Sequence, residues 1–290
     1  MKQPFCEDFM IGSVLFVLRR FPEGSRFLRE ILEKLAQGKI SVDDAERALK
    51  LNVIENVANV AKLDVGREIR RNTPEIVFAE GKTKNDLIEI CVRMVEKNGR
   101  VIATRLDDEQ LEAVTLRFKD LSVEKFPHAK SIVVSKKDRD HMRTGGKVGI
   151  LTAGTVDLGV AEEASMIAEE MGCETYLEAD AGVAGIHRLV QPLKSMVEHD
   201  VDCLIVVAGR EGALPTVVAG LVDMPLIAVP TSSGYGYGGG GEAALMAMLQ
   251  ACSLGLAVVN IDSGIAAGVV AALIANRVAK ARSRQSSKTS

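Results

Sequence analysis

The sequence predicts an α/β protein: a C-terminal doubly wound parallel sheet of five strands, preceded by a smaller helical and α/β N-terminal domain. Three observations lead there. Five short apolar runs recur in the second half: "KVGILTAG", "ETYLEADAG", "DCLIVVAG", "PLIAVP" and "LAVVNID". A segment with helical spacing follows each, and continuous apolar strands alternating with helices indicate a parallel sheet covered on both faces. The chain has 290 residues, 47% apolar and 26% charged, an ordinary core-forming composition long enough for about two domains. The texture changes across the polar stretch "KKDRDHMRTGGK", which reads as a linker.

In order along the chain, "FMIGSVLFVL" is a short apolar patch preceded by acids and followed by arginines, the reverse of a signal peptide. "SRFLREILEKLAQGKI" places Phe27, Ile31, Leu32 and Leu35 at helical spacing, and Gly38 ends it. "SVDDAERALK" restarts with Ser41 as N-cap and Asp44 as its capping-box partner. A strand and turn follow in "PEIVFAEGKT", then a helix over Asn85–Lys97, a strand in "GRVIATRLD", a helix from Asp108 and a strand in "AKSIVVSKK". In the second half the predicted helices are Asp157–Met171, Arg188–His199, Ala213–Val222, Glu242–Cys252 and Ile265–Ala279. Five βα units suggest the flavodoxin-like strand order. The expected division is 1–135 for the N-terminal domain, 136–147 for the linker, 148–280 for the sheet domain and 281–290 for a disordered polar tail.

Several functions are disfavoured. The net charge is −3, with no basic stripe for nucleic acid. No run reaches the roughly eighteen apolar residues of a membrane span, and the expected location is cytoplasmic. Cysteines 6, 91, 173, 203 and 252 are scattered with no CxxC, so disulfides are not expected and a special cysteine would be reactive. The four histidines form no ligand cluster, so the metal ligands stay unknown and zinc is disfavoured.

In a doubly wound sheet the ligand lies beyond the carboxyl ends of the strands. The loops there are "TAGTVD", "DAGVAGIHR", "AGREGALP", "PTSSGYGYGGGGE" and "NIDSGIAAG". All contain glycine, and their free amides at helix N-termini suit a phosphorylated or carboxylated ligand. Gly154, Thr155, Gly209, Ser232, Ser233, Gly234, Gly238 and Gly239 are the candidate backbone and hydroxyl contacts. His187 and Arg188 read either as a surface pair or as an anion clamp. Asp157 reads as an N-cap or a ribose contact, and Glu211 as a general base or a partner of Arg210. "EGKT" lacks the full phosphate-loop spacing, and Lys82 reads more simply as a turn lysine.

"TAGTVD", "GIHRL", "REGALPTVVAGL", "PLIAVPTSSGYGYGGGGEAALMAML" and "VVNIDSGIAAG" together resemble the PurE-like AIR-carboxylase superfamily, and within it the LarB family. "LDVGREIRRNTPEIVFAEGKT" resembles the segment that precedes the carboxylase domain in LarB proteins. The purine enzymes carry a pattern like G-G-A-A-H-L-P-G, with a catalytic histidine before Leu-Pro; Ala213 stands at that place here. The resemblance therefore implies the LarB reaction. Nicotinic acid adenine dinucleotide is carboxylated on its pyridinium ring and its phosphoanhydride is hydrolysed to release AMP. The product, pyridinium-3,5-biscarboxylic acid mononucleotide, is a precursor of the nickel-pincer cofactor.

The resemblance further implies Cys252 as the thiolate that adds to the ring and Glu211 as the base, with carbon dioxide or bicarbonate as co-substrate and no organic prosthetic group. Magnesium is expected on the pyrophosphate, with Asp157, Asp180 and Asp262 as oxygen donors. A helix of about 12 residues would carry Cys252 roughly 18 Å from its own glycine loop, so a neighbouring subunit must supply the thiol. The expected assembly is a homo-oligomer, an octamer by resemblance, with shared sites. The rival readings are another PurE-like carboxylase or mutase acting on a different ring nucleotide, and a non-catalytic nucleotide-binding protein on the same scaffold.

Overall fold

The computed structural model describes residues 26–45, 55–57, 61–64, 67–137, 139 and 143–289. The apolar patch near the N-terminus and Cys6 lie outside them. The first described helix, α1, spans Arg26–Ala36. Ser41 caps as expected, its hydroxyl accepting the Asp44 amide at 3.1 Å, while Asp44 answers by accepting the Ser41 hydroxyl at 2.7 Å. A short antiparallel hairpin, β1 (Glu55–Val57) and β2 (Ala61–Leu63), and the five-residue helix α2 (Arg67–Arg71) follow.

The N-terminal sheet has the order β3-β4-β6-β5, built from β3 (Ile76–Phe78), β4 (Arg100–Thr104), β5 (Ser122–Phe126) and β6 (Ser131–Ser135). Two helices cover one face, α3 (Lys84–Asn98) and α4 (Asp108–Arg117). α3 starts on Thr83, whose hydroxyl caps the Asp86 amide, and stops at Gly99 in the left-handed conformation. In the "EGKT" turn, Lys82 Nζ donates to the Phe78 carbonyl at 2.6 Å.

β4 is buried along its whole length, because its two faces enter different cores. Val101 and Ala103 pack with α3, whereas Ile102 packs with the C-terminal domain. The two-residue period of a strand makes this split possible.

The C-terminal sheet is parallel throughout, in the order β11-β10-β9-β7-β8. Its strands are β7 (Lys147–Thr152), β8 (Glu174–Glu178), β9 (Cys203–Ala208), β10 (Leu226–Pro230) and β11 (Leu256–Val258). This is the doubly wound flavodoxin-like order, with its switch point between β7 and β9. Helices α5 (Leu158–Glu170) and α9 (Gly264–Thr289) cover one face. Helices α6 (Val190–Glu198), α7 (Ala213–Ala219) and α8 (Glu242–Leu249) cover the other. α5 and α9 meet through small residues: a Cβ on Gly268 would sit 2.5 Å from the Ala164 carbonyl oxygen.

Several boundaries differ from the sequence expectation. β5 was not expected; it is a charged edge strand, "SVEKF", mostly exposed. α9 passes Ala279 and runs to Thr289, through the stretch expected to be disordered; Arg282 anchors this part by an ion pair with Asp202. α9 is also long and apolar enough over Gly264–Gln285 to cross a membrane by composition alone. Its Ala267, Ala271, Ala272 and Ala275 are buried against the sheet. The described part of 136–147 is tied to the C-terminal domain. Arg139 pairs with Glu170 at 3.0 Å, and Arg143 donates to the Cys173 carbonyl at 3.1 Å.

Candidate active site

The carboxyl ends of the five parallel strands deliver five loops to one edge, and hydrogen bonds knit them together. Asp157 lies at the centre. It is buried, at the end of a 3-10 turn over Thr155–Asp157. Its carboxylate accepts from the Gly154 amide at 3.0 Å, the Thr231 hydroxyl at 2.7 Å and the Ser233 hydroxyl at 3.0 Å. The group therefore ties the first loop to the fourth. It makes no side-chain cap bond to α5, which is the N-cap role the sequence suggested.

Gly209, after β9, fits beneath the same hydroxyls. A Cβ there would lie 2.3 Å from Ser233 Oγ and 2.7 Å from Thr231 Oγ1. Gly234 backs onto Arg210, with a built Cβ 3.2 Å from the Arg210 amide nitrogen. In the fifth loop, Asp262 Oδ1 accepts the Ser232 amide at 2.8 Å. The second loop joins through Thr152, whose hydroxyl accepts the Asp180 amide at 3.2 Å. Asp180 also pairs with Arg188 at 2.7 Å. His187 is exposed beside it.

Glu211 is exposed at the turn after β9, next to the switch point. The alternative partner, Arg210, is engaged elsewhere: its guanidinium donates to the Tyr235 hydroxyl and lies 4.5 Å from that ring's centre. Gly212, in the left-handed conformation, then turns the chain into α7 under the Ala244 carbonyl. Ala213 is the first residue of α7.

The glycine loop divides into two kinds of position. Gly238 and Gly241 are required internally; a Cβ would lie 2.5 Å from Ala243 Cβ and 2.9 Å from the Thr231 carbonyl oxygen, respectively. Gly239 is not: its φ of −55° suits any residue, and the nearest atom to a built Cβ is 4.0 Å away. Tyr235 and Tyr237 are both exposed.

Cys252 is not brought to this edge. α8 stops at Leu249 and is eight residues long, not the twelve expected, so it spans about 12 Å. Cys252 follows it in a loop at the opposite end of the sheet. The next residue, Ser253, donates its hydroxyl to the Thr216 carbonyl at 2.8 Å. Cys252 is exposed, whereas Cys91, Cys173 and Cys203 are buried, and burial pushes each of those thiols up to about 12. Among the described residues no three His, Cys, Asp or Glu side chains gather as a metal site. Asp157, Asp180 and Asp262 each hold a hydrogen bond or ion pair within the protein.

Sequence reasoning placed Thr152 and Thr231 in the edge loops but missed their hydroxyls as the groups that tie those loops together. A polar residue closing an apolar strand, as in "AVPT" and "GILT", was the available signal.

A five-stranded parallel sheet with glycine loops at its carboxyl edge and an AIR-carboxylase match over residues 147–289 places the chain among PurE-like carboxylases and mutases. Residues 54–136 match the LarB/PurE-like N-terminal domain. With both domains present in that order, the chain belongs to the LarB family. An uncharacterized protein of Methanocaldococcus jannaschii is 45% identical over 86% of this chain and 96% of its own length. N5-carboxyaminoimidazole ribonucleotide mutase of the same organism is 32% identical over 42% of this chain and 74% of its own. The Thermotoga maritima mutase of the same name is 29% identical over 30% of this chain and 51% of its own.

Proposed function

We propose that the protein carboxylates the pyridinium ring of nicotinic acid adenine dinucleotide and hydrolyses its phosphoanhydride, releasing AMP and pyridinium-3,5-biscarboxylic acid mononucleotide for the nickel-pincer cofactor. The observation that carries the reading is that Cys252 is exposed while the other described cysteines are buried. An electron-poor pyridinium does not attack carbon dioxide. Addition of the Cys252 thiolate to a ring carbon forms a C–S bond and leaves an enamine. The enamine β-carbon then attacks carbon dioxide and forms the new C–C bond. Glu211 removes the proton from that carbon, and expulsion of the thiolate restores the aromatic ring. The difficult step is thereby divided into easier ones. Water cleaves the phosphoanhydride, with AMP as the leaving group. Magnesium would accompany the substrate's phosphates, where the ion ordinarily keeps several waters.

Glu211 and Cys252 lie at opposite ends of the sheet, so the reading requires a homo-oligomer in which one copy's thiol meets another copy's glycine loop. Support comes from the surface around Cys252. Met246, Leu249 and Leu254 are exposed there, Leu254 at 90%, and apolar exposure of this kind commonly marks an interface. Gly239, free of internal constraint, is a place where a ligand or second chain can approach closely. A ribonucleotide mutase, as the two named relatives are, is disfavoured by Ala213 at the histidine position.

The test is mass spectrometry of the parent and a Cys252→Ala variant with the dinucleotide, magnesium and labelled bicarbonate. Labelled dicarboxylated mononucleotide and AMP from the parent alone support the proposal. AMP without label would make the protein a hydrolase and remove the carboxylase.

A further inference from the structure

We infer that the N-terminal domain supplies a positioning residue, Arg105, that holds the substrate-facing loops of the C-terminal domain in place. Arg105 follows β4 and stands in the left-handed conformation, φ 57°, a conformation that is costly for a side chain with a Cβ. The turn aims the guanidinium across the domain boundary, and Arg105 Nη2 donates to the Asp262 main-chain carbonyl at 3.2 Å. Asp262 is itself left-handed, φ 54°. Its amide donates to the Pro230 carbonyl at 2.9 Å, and its carboxylate accepts the Ser232 amide at 2.8 Å. Ser232 opens the glycine loop. A single side chain of the N-terminal domain is therefore two hydrogen bonds from the loop that faces the ligand.

The rest of the boundary is built to keep this contact in register. The Thr104 hydroxyl, one residue before Arg105, donates to the buried Glu163 on α5. Ser131 donates to Thr104 at 2.8 Å. Gly264, two residues after Asp262, is pressed onto α5 so closely that a Cβ would lie 2.3 Å from the Val160 carbonyl oxygen. The fifth loop is thus clamped by α5 on one side and by Arg105 on the other. Arg105 also lies over the Phe78 ring, 5.9 Å from its centre, its charge acts on Glu163, and it pairs with Glu80 at 3.6 Å. That exposed pair is a weak competitor for the guanidinium.

This role rests on the carboxyl edge being the substrate site, but its first test does not. Hydrogen exchange followed by mass spectrometry would compare the parent with Arg105→Ala and Arg105→Lys. Losing a charge-assisted bond at an exposed site should speed exchange of the Ser232–Gly241 amides by roughly 5- to 10-fold, with α3 and α4 unchanged. Arg105→Lys should restore part of the protection. Unchanged exchange in that loop overturns the inference, whatever the activity does. Under the carboxylation assay, the same variants should raise KM more than they lower kcat, because the loops bind substrate while the thiol and base remain. A loss confined to kcat, with loop exchange unchanged, would make Arg105 a group that acts on the reacting atoms and would equally overturn a positioning role. If the parent shows no carboxylation, the reading of the reaction fails and the exchange result still decides the role of Arg105.

Discussion

Gly209→Ala should destabilise the protein by roughly 2–3 kcal/mol, for a reason confined to the candidate site. Gly209 is not in the left-handed region, so alanine meets no torsional obstacle. The cost is steric. The new Cβ would fall 2.3 Å from Ser233 Oγ and 2.7 Å from Thr231 Oγ1. Ser233 relieves the contact by rotating away, and Asp157 then loses one of its hydroxyl donors. A hydrogen bond to a charged group contributes about 1.5 kcal/mol at the low end of its range. Thr231 is buried and cannot rotate freely, so its side of the clash is met by a small backbone shift of about 1 kcal/mol. At about 2–4 °C per kcal/mol for a chain of this class, Tm should fall by roughly 5–10 °C. Thermal melts and urea midpoints at constant m-value would measure it. Gly239→Ala is the control, since neither its φ nor any close atom requires glycine; its stability should stay within about 0.5 kcal/mol of the parent. Equal melting of Gly209→Ala and parent, or an equal fall in both variants, would refute the knitted-loop account.

Burial holds the Glu163 carboxyl pKa above its ordinary 4.5, so the native chain binds more protons than the unfolded chain between those two values. Its stability should therefore decline as pH rises from about 4.5 through the raised value. Glu163→Gln should flatten the dependence in pH-dependent melts, and parallel curves would contradict it. Arg100→Ala removes a buried guanidinium that bridges Glu68 and Glu170 across the domain boundary; urea titration should show a loss of about 3 kcal/mol. A brief iodoacetamide pulse on native protein, read by peptide mass spectrometry, should label Cys252 and spare Cys91, Cys173 and Cys203, whose burial disfavours the thiolate. Equal labelling of the four would remove the exposure argument.

How far the fold could be read from sequence depended on how strongly local chemistry reported tertiary context. Among the parallel strands, β7, β9 and β10 were readable because burial on both faces makes them continuous apolar runs, while the edge strands β8 and β11 were readable from their place in the alternation with helices. β5 was not, because an edge strand carries charge, and "SVEKF" resembles a loop. The end of α8 was hidden as well. "MAMLQAC" keeps a helical pattern, with no glycine before Gly255. The helix stops at Leu249 as the chain turns through the Ser253–Thr216 bond toward β11. The polar tail became helix because Arg282 finds Asp202, a partner distant in sequence. At the site, topology alone placed the loops. The convergence on Asp157 was not readable, since its donors Thr231 and Ser233 are more than seventy residues away. Arg105 was likewise invisible, because its partner lies in the other domain.

The central claim is that Cys252 of one copy and Glu211 of another build one carboxylating site. Mixing Cys252→Ala with Glu211→Gln after unfolding and refolding together tests it most directly, with labelled bicarbonate incorporation as the readout. Each variant alone should be inactive. Random assembly should restore about a quarter of parental incorporation, the share of sites that draw an intact residue from each copy. A mixture that stays inactive beside an active parent refolded in the same way would contradict the shared site.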